Sequence, residues 1–431
     1  MKQKLINLKN IFCSIINKIS DLFYSFLHHY DLLIYVAIIT VLALALRISL
    51  LDCIRGDYTS FLNPWYTKIY NEGVSALGYS FGDYTPAYYY LLFLLSLFRI
   101  SPESILVLHG IKWISIIFDL LLALFASLIC YIITKNKVKS LLTYTLVVFG
   151  LTVFLNSSLW GQCDSIYASF CLMAIYFILK NKPNTSMICY GLAFCFKVQS
   201  IFILPLFIVM FLRRQFKLRY LLWIPLIYLL MALPSCFVAE NFFIRLGEIF
   251  SVFYNQSVNS YKEVTLNAGS FYALIFTNFK EENFISSFAL FLAIAIIGTY
   301  IFLIYRSKEK FSNKTWVKIA LVFAMIFPYF LPHMHERYFY IVDVLICVYA
   351  LINPKKFYVA ILAITNSMIG YMVYLWNIPF INVVPQEQSD PTKALSFRFG
   401  AIIYLIAIII VSIDLYKEIY PKGLILENEG E

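Results

Sequence analysis

Apolar blocks approaching the length of a membrane span recur along nearly the whole chain, for example over residues 32–46, 221–238 and 401–411. A transmembrane helix needs about 20 mainly apolar residues, because the hydrocarbon layer is about 30 Å thick. Only 13% of the 431 residues are charged, about half the share found in soluble domains. The sequence therefore predicts an all-α, polytopic integral membrane protein with 12–14 spans and almost no soluble domain.

The net charge of +10 is explained by where the basic residues lie in the predicted topology. Most Lys and Arg side chains fall in residues 1–31, 135–139, 180–182, 213–219, 306–318, 355–356 and 417–422. Basic segments stay on the cytoplasmic side of membrane spans, so the charge gives no indication of nucleic-acid binding. The segments left outside are 51–86, 160–164, 197–200, 240–284, 332–337 and 377–397, and both termini are predicted to be cytoplasmic.

Three segments have the pattern of amphipathic helices that lie in the membrane interface. Residues 1–31 place apolar side chains at helical spacing between lysines, although a basic cytoplasmic leader fits them as well. Residues 61–72 begin near Pro64 and carry Trp65, Tyr66 and Tyr70, side chains that are suited to the headgroup level. Residues 241–254 repeat this pattern. Two such helices on the outer surface predict a site at the membrane–water boundary, where a lipid-borne substrate presents its polar head.

Two acidic positions in the first outer loop are candidates for chemistry. Asp57 lies just above the predicted membrane, where a carboxylate can act as a general base; Asp52 competes for that role, and a loop acid paired with Arg55 is the structural alternative. Asp83, before Tyr84, is either a pocket residue or the cap of the helix that begins at Pro86.

Polar residues also interrupt apolar blocks further along the chain. Trp160, Gln162 and Asp164 surround a glycine, which fits either a plain turn or a pocket that bonds sugar hydroxyls. Lys197 and Gln199 break an apolar run. A cation there can hold a phosphate, or it can extend to the interface.

The densest outer cluster is residues 332–338, with His335, Glu336 and Arg337. Arg is the side chain best shaped to clamp phosphate oxygens, and His335 can hydrogen-bond or carry a proton. The histidine spacing is not that of HExxH zinc sites, and the nine scattered cysteines include no CxxC pair, so no metal ligand is assigned. His109, Lys112, Asp119 and Asp343 are interpreted first as a buried polar network between helices.

Taken in the order in which they occur along the chain, the outer segments resemble the GT-C fold membrane glycosyltransferases, specifically the bacterial proteins related to GPI-anchor mannosyltransferases. The resemblance covers residues 33–345 and is carried by Gly56-Asp57-Tyr58, Trp65-Tyr66, Tyr84-Thr85-Pro86, Trp160-Gly161-Gln162-Cys163-Asp164, Gly191, Lys197-Val198-Gln199, Leu204-Pro205 and His335-Glu336-Arg337-Tyr338. It implies three regions: an N-terminal segment 1–31, a GT-C-like transmembrane catalytic module 32–345, and C-terminal transmembrane helices with a short cytoplasmic tail over 346–431.

The resemblance further implies an inverting transfer of a mannose-like or glucose-like hexose from a polyprenyl-phosphate donor to a glycan or lipid-linked acceptor, on the extracytoplasmic face of a bacterial plasma membrane. By this analogy Asp57 is the base, and Lys197, His335 and Arg337 hold the donor phosphate. The substrate pocket is formed by Asp83, Tyr84, Trp160, Gln162, Asp164, Gln199 and Glu336. The first loop lacks the Asp-x-Asp or Asp-Asp pair of some GT-C members, which leaves the need for a divalent cation open.

Two other classes share many spans and a lipid-linked substrate. A flippase or transporter often shows paired broken helices in two repeated halves, and the sequence has no such internal repeat. An oligosaccharide polymerase or ligase usually centres on one large outer loop, whereas here the first outer loop is as rich in polar residues as the later ones. Both remain alternatives to the glycosyltransferase.

Overall fold

The computed structural model describes residues 18, 30–258, 262–277, 281, 283–378 and 391–421. The helix predicted within residues 1–31 and the outer segment 377–397 therefore fall largely outside the described residues. Helices make up most of the described chain. The named strands there are β1 (Thr265–Leu266) and β2 (Met334–His335), which pair in parallel.

The helices follow one another with short connections. They are α1 (Tyr30–Ile48), α2 (Asn63–Glu72), α3 (Pro86–Ser96), α4 (Ile105–Thr134), α5 (Lys137–Val148), α6 (Leu151–Phe154), α7 (Asp164–Leu179), α8 (Pro183–Phe196), α9 (Leu204–Leu212), α10 (Trp223–Val238), α11 (Phe242–Val258), α12 (Asn283–Arg306), α13 (Asn313–Phe330), α14 (Tyr340–Ile352), α15 (Phe357–Trp376) and α16 (Pro391–Ile419).

Six helices of the described residues are long and apolar enough to cross a membrane. They cover Tyr30–Ile48, Ile105–Thr134, Leu218–Val238, Phe284–Arg306, Pro354–Trp376 and Leu395–Ile419. A seventh is added if α5 and the following residues Leu151–Trp160 form one span with a 43° bend. These helices confirm the prediction of an all-α polytopic integral membrane protein.

The predicted 12–14 spans exceed this number, because several apolar blocks fold as short helices. α3 has 11 residues, α8 has 14 and α9 has 9. At 1.5 Å per residue, even α8 is only about 21 Å long, less than the hydrocarbon thickness. The short α3 is followed by the 30-residue α4, and α8 ends with Lys197 as its C-cap residue, directly before the 3₁₀ turn Val198–Ile203.

The basic segments and the predicted outer segments lie at opposite ends of the same helices. At the basic end, Lys318 near the start of α13 forms ion pairs with Asp414 and Glu418 of α16, and Lys356 just before α15 also pairs with Asp414. At their other ends, α13 leads into residues 332–337 and α15 ends at Trp376. This arrangement agrees with the charge distribution expected of a membrane protein.

The two amphipathic segments of the outer loops are both helical. In α2, however, the side chains of Trp65 and Tyr66 are buried in the protein, and the Tyr66 hydroxyl donates to the carbonyl of Ile100. They are therefore unavailable to lipid headgroups. α11 does expose apolar side chains, with Phe243 80% exposed, while its Arg245 is buried.

The predicted buried network is confirmed on α4. Asp119 pairs with Arg47 at 2.9 Å, and Lys112 Nζ donates to the carbonyls of Leu50, Leu51 and Cys53. Each charge thus has a partner on another segment, as a buried charge requires. Asp343 is also buried and accepts a hydrogen bond from Ser367. The prediction is wrong for His109, because its side chain is 23% exposed and its partner Asp52 is 85% exposed.

Candidate active site

A cavity of about 1150 Å³ lies where the predicted outer segments meet. Its polar side is formed by Asp57 of the first outer loop, Gln162, Lys197 and the pair His335 and Arg337. Asp57 and Arg337 are 280 residues apart in the chain, so the fold alone brings these groups together. The lining of this cavity contains most of the candidate site residues predicted from the sequence.

Part of the cavity lining is apolar. Leu290, Ile294 and Ile297 of α12 form this wall with Phe202 and Phe327. Leu290 is 47% exposed and Ile294 is 57% exposed, and both belong to a helix able to span the membrane. Exposed apolar side chains on such a helix are suited to lipid tails. The cavity therefore combines charged side chains with apolar side chains of a helix that is able to span the membrane.

Asp57 is the centre of the polar side. The residue is 8% exposed, and its carboxylate accepts hydrogen bonds at Oδ2 from Trp160 Nε1 at 3.1 Å, from Gln162 Nε2 and from Arg337 Nη1 at 3.2 Å. At Oδ1 it accepts one from the Tyr374 hydroxyl at 2.5 Å. The alternative of a solvated loop acid paired with Arg55 is wrong, because Asp57 is buried and pairs with Arg337.

A glycine explains how two neighbouring side chains reach the same carboxylate oxygen. The wide helical turn Leu155–Trp160 ends at Gly161, whose φ is +82°. This left-handed conformation is unfavourable for residues with a β-carbon. It reverses the chain between Trp160 and Gln162, and both side chains donate to Asp57 Oδ2. The segment is thus part of the pocket rather than a plain turn.

Lys197 forms a second ion pair beside the first. It separates α8 from the 3₁₀ turn Val198–Ile203 in an extended conformation, and its ammonium donates to Asp164 Oδ1. Asp164 is the first residue of α7, where a helix N-terminus favours a negative charge, and its Oδ2 accepts from Asn156 Nδ2 at 2.8 Å. Lys197 is 5% exposed, so it does not extend to the interface.

His335 is held in the cavity wall by β2, which pairs with β1. Burial holds the pKa of His335 well below its ordinary value, and the nearby Arg337 and Lys197 cations lower that pKa further. The imidazole is therefore neutral at pH 7. A neutral imidazole has one N–H donor and one acceptor nitrogen, so His335 adds a hydrogen-bonding group rather than a third charge.

Glu336 lies behind the cavity wall. It is 1% exposed, and neither carboxyl oxygen has a hydrogen-bond partner among the described residues. It packs against Gly370 of α15, where a β-carbon would lie 2.4 Å from Glu336 Cβ. Burial raises the pKa of Glu336 to about 8, although the neighbouring Arg337 acts to lower it. Glu336 is thus protonated at neutral pH and is a supporting residue behind Arg337.

This raised pKa makes the stability of the fold depend on pH. Between the ordinary pKa of 4.5 and the raised value of about 8, the folded state keeps a proton on Glu336 that the unfolded state has lost. The free energy of unfolding therefore decreases as the pH rises through this range, by about 1.4 kcal/mol for each unit of pKa difference. We expect the Glu336→Gln variant to lose this part of the slope when the melting temperature is measured against pH in detergent. Parallel curves for the two proteins would contradict the assignment.

The structure brings most of the predicted site residues to one cavity. The residues in its lining are Asp57, Asp83, Tyr84, Gln162, Lys197, Gln199, His335 and Arg337. Trp160, Asp164 and Glu336 lie outside that lining, and Trp160 and Asp164 instead contact Asp57 and Lys197. Asp83 does not cap α3, because the N-cap residue is Thr85 and no side chain caps this end. Asp52, the competing base, has an 85% exposed side chain and pairs with His109.

Two elements of the site were not predicted from the sequence. Tyr374, near the end of α15, donates to Asp57, and the apolar wall comes from α12. Tyr371 and Tyr374 are three residues apart at the predicted outer end of a span, so they share a helix face. That spacing is the feature of the sequence that could have indicated Tyr374.

Among the described residues, no group of three or more His, Cys, Asp or Glu side chains is arranged to hold a metal ion. Comparison with protein-family models finds no match to the chain. Comparison with curated proteins finds no similar sequence. The functional assignment therefore depends on the geometry of the cavity and on the chemistry of its side chains.

Proposed function

We propose that this protein is an inverting membrane glycosyltransferase of the GT-C type. It transfers a mannose-like or glucose-like hexose from a polyprenyl-phosphate donor to a glycan or lipid-linked acceptor. The reaction takes place on the extracytoplasmic face of a bacterial plasma membrane. The observation that carries the proposal is the meeting of Asp57, Lys197 and Arg337 in one cavity with an apolar wall on α12.

The donor proposed here is an anionic head attached to a long apolar chain. Lys197 and Arg337 supply two cations for a phosphate, and Leu290, Ile294 and Ile297 supply an apolar surface beside them. Each cation has donors to spare. The Lys197 ammonium has three N–H groups and donates one to Asp164. The Arg337 guanidinium has five N–H groups and donates one to Asp57. Both can therefore bind phosphate oxygens without leaving their carboxylate partners.

The reaction follows from these positions. The acceptor hydroxyl gives its proton to the Asp57 carboxylate, and its oxygen forms a bond to the anomeric carbon. The bond from that carbon to the phosphate oxygen breaks, and its electron pair leaves on the polyprenyl phosphate. Lys197 and Arg337 stabilise the charge that grows on this leaving group. Because the acceptor attacks on the side opposite the phosphate, the anomeric configuration inverts.

The proposal is tested with purified protein in lipid vesicles and radiolabelled polyprenyl-phosphate mannose or glucose, with and without a divalent cation. An extract of bacterial envelope glycans serves as acceptor. We expect label to move from the lipid to the glycan fraction, with stoichiometric formation of polyprenyl phosphate. The arm with the divalent cation decides whether a metal is needed.

Two outcomes would contradict the glycosyltransferase proposal and support one of the alternative classes. Movement of intact labelled donor between the two leaflets without loss of the sugar would indicate a flippase. Transfer of a whole glycan from a lipid-linked oligosaccharide, with no use of the monosaccharide donors, would indicate a polymerase or ligase.

A further inference from the structure

The two oxygens of the Asp57 carboxylate have different surroundings. Among the residues that the structure describes, Oδ2 accepts from Trp160, Gln162 and Arg337, whereas Oδ1 accepts from the Tyr374 hydroxyl alone. A carboxylate offers about four lone-pair positions, two on each oxygen. The three donors leave no free position on Oδ2, so the remaining one is on Oδ1.

Tyr374 is fixed in place by two contacts of different kinds. Its ring stacks on Trp160, with centroids 4.5 Å apart and an interplanar angle of 29°. Its hydroxyl lies 2.5 Å from Asp57 Oδ1. Trp160 is fully buried, while Tyr374 is 39% exposed and lines the cavity. The stacked ring therefore holds the hydroxyl against Asp57 Oδ1 from a position in the cavity lining.

We infer that Tyr374 is a positioning residue for the general base, which directs the free lone pair of Asp57 Oδ1 into the cavity. This inference rests on the proposed function. In the transfer step the acceptor proton passes to Oδ1, while Tyr374 keeps its own proton and holds the carboxylate in place. Residue 374 thereby connects α15 to the reaction.

The Tyr374→Phe variant removes the hydroxyl and retains the ring that stacks on Trp160. We expect kcat to fall about tenfold, because one positioning hydrogen bond is lost, with little change in KM for the donor. The acid limb of the pH profile should move to higher pH, because the ionised carboxylate has lost a hydrogen bond. A purely structural role would lower the melting temperature without moving this limb.

Tyr371→Phe is the matched control. Tyr371 lies one turn earlier on α15, contacts Trp160 edge-on at 5.4 Å, and accepts a hydrogen bond from Asn156 rather than contacting Asp57. It should lower the melting temperature and leave the acid limb in place. An unmoved acid limb in Tyr374→Phe, or an equal movement in both variants, would overturn the inference.

Infrared titration separates this inference from the proposed function. The carboxyl band of Asp57, obtained as wild type minus Asp57→Asn, is followed against pH without substrate. We expect its midpoint to rise in Tyr374→Phe and not in Tyr371→Phe. If this shift is present but no donor is consumed, the contact stands and the glycosyltransferase proposal fails. If donor is consumed and the midpoint does not move, the function stands and the inference fails.

Discussion

Replacement of Asp57 by Asn is expected to lower the rate of glycosyl transfer by about 10²–10⁴-fold, the usual contribution of a general base. The amide has nearly the same shape as the carboxylate but cannot accept the acceptor proton. Binding of the donor should persist, because Lys197 and the apolar wall of α12 are unchanged. The measurement is transfer of radiolabel at saturating donor, together with binding of labelled donor to each protein.

Asp52→Asn is the control for this variant. Asp52 lies in the same loop, but its side chain is 85% exposed and pairs with His109. We expect wild-type transfer from it. Full transfer by Asp57→Asn would remove Asp57 from the mechanism. An equal loss in both variants would indicate a general effect of charge in the loop.

The largest expected effect on stability comes from the buried pair of Arg47 and Asp119. Arg47 Nε lies 2.9 Å from Asp119 Oδ2, and both side chains are 0% exposed. Arg47→Met leaves a buried carboxylate without its cation, and removal of one partner from such a pair typically costs about 3–5 kcal/mol. The double variant Arg47→Met, Asp119→Leu should recover most of this loss, because neither charge remains to be desolvated.

Thermal unfolding can be followed with a thiol-reactive dye, because most cysteines in the described part of the chain are buried. Lys68→Met is the matched control at the surface. Lys68 and Glu72 are 3.3 Å apart, with side chains 35% and 38% exposed, and such pairs contribute about 0–1 kcal/mol. If the double variant were as unstable as Arg47→Met alone, the unpaired charge would not be the cause.

The sequence predicted the polar half of the site for physical reasons. A charge within an apolar run is costly, so Lys197 had to meet a partner or a ligand, and Arg337 belongs to the densest polar cluster of the outer segments. Both line the cavity together with Asp57. Tyr374 carries no such indication, because a tyrosine near the end of a span is common at membrane interfaces. Its role depends on a contact 317 residues away in the chain.

The helix breaks were harder to predict than the membrane class. Side chains that face lipid and side chains that face the protein core are both apolar, so hydrophobicity does not mark where a helix ends. The 12–14 predicted spans therefore include apolar blocks that fold as short helices, such as α8 and α9 with only 14 and 9 residues. The interior position of Glu336 was also hidden, because the close approach of Gly370 that encloses it comes from a distant helix.

The wide turn Leu155–Trp160 has a consequence for how substitutions combine. Two consecutive residues of this turn serve different ion pairs: Asn156 donates to Asp164, the partner of Lys197, and Ser157 donates to Asp119, the partner of Arg47. The neighbouring side chains of Asn156 and Ser157 thus link the Lys197–Asp164 pair to the Arg47–Asp119 pair. Energies of substitutions that share partners in this way are typically non-additive. Loosening the Arg47–Asp119 pair is therefore expected to alter the affinity for the proposed phosphate-bearing donor, without any substitution at the cavity itself.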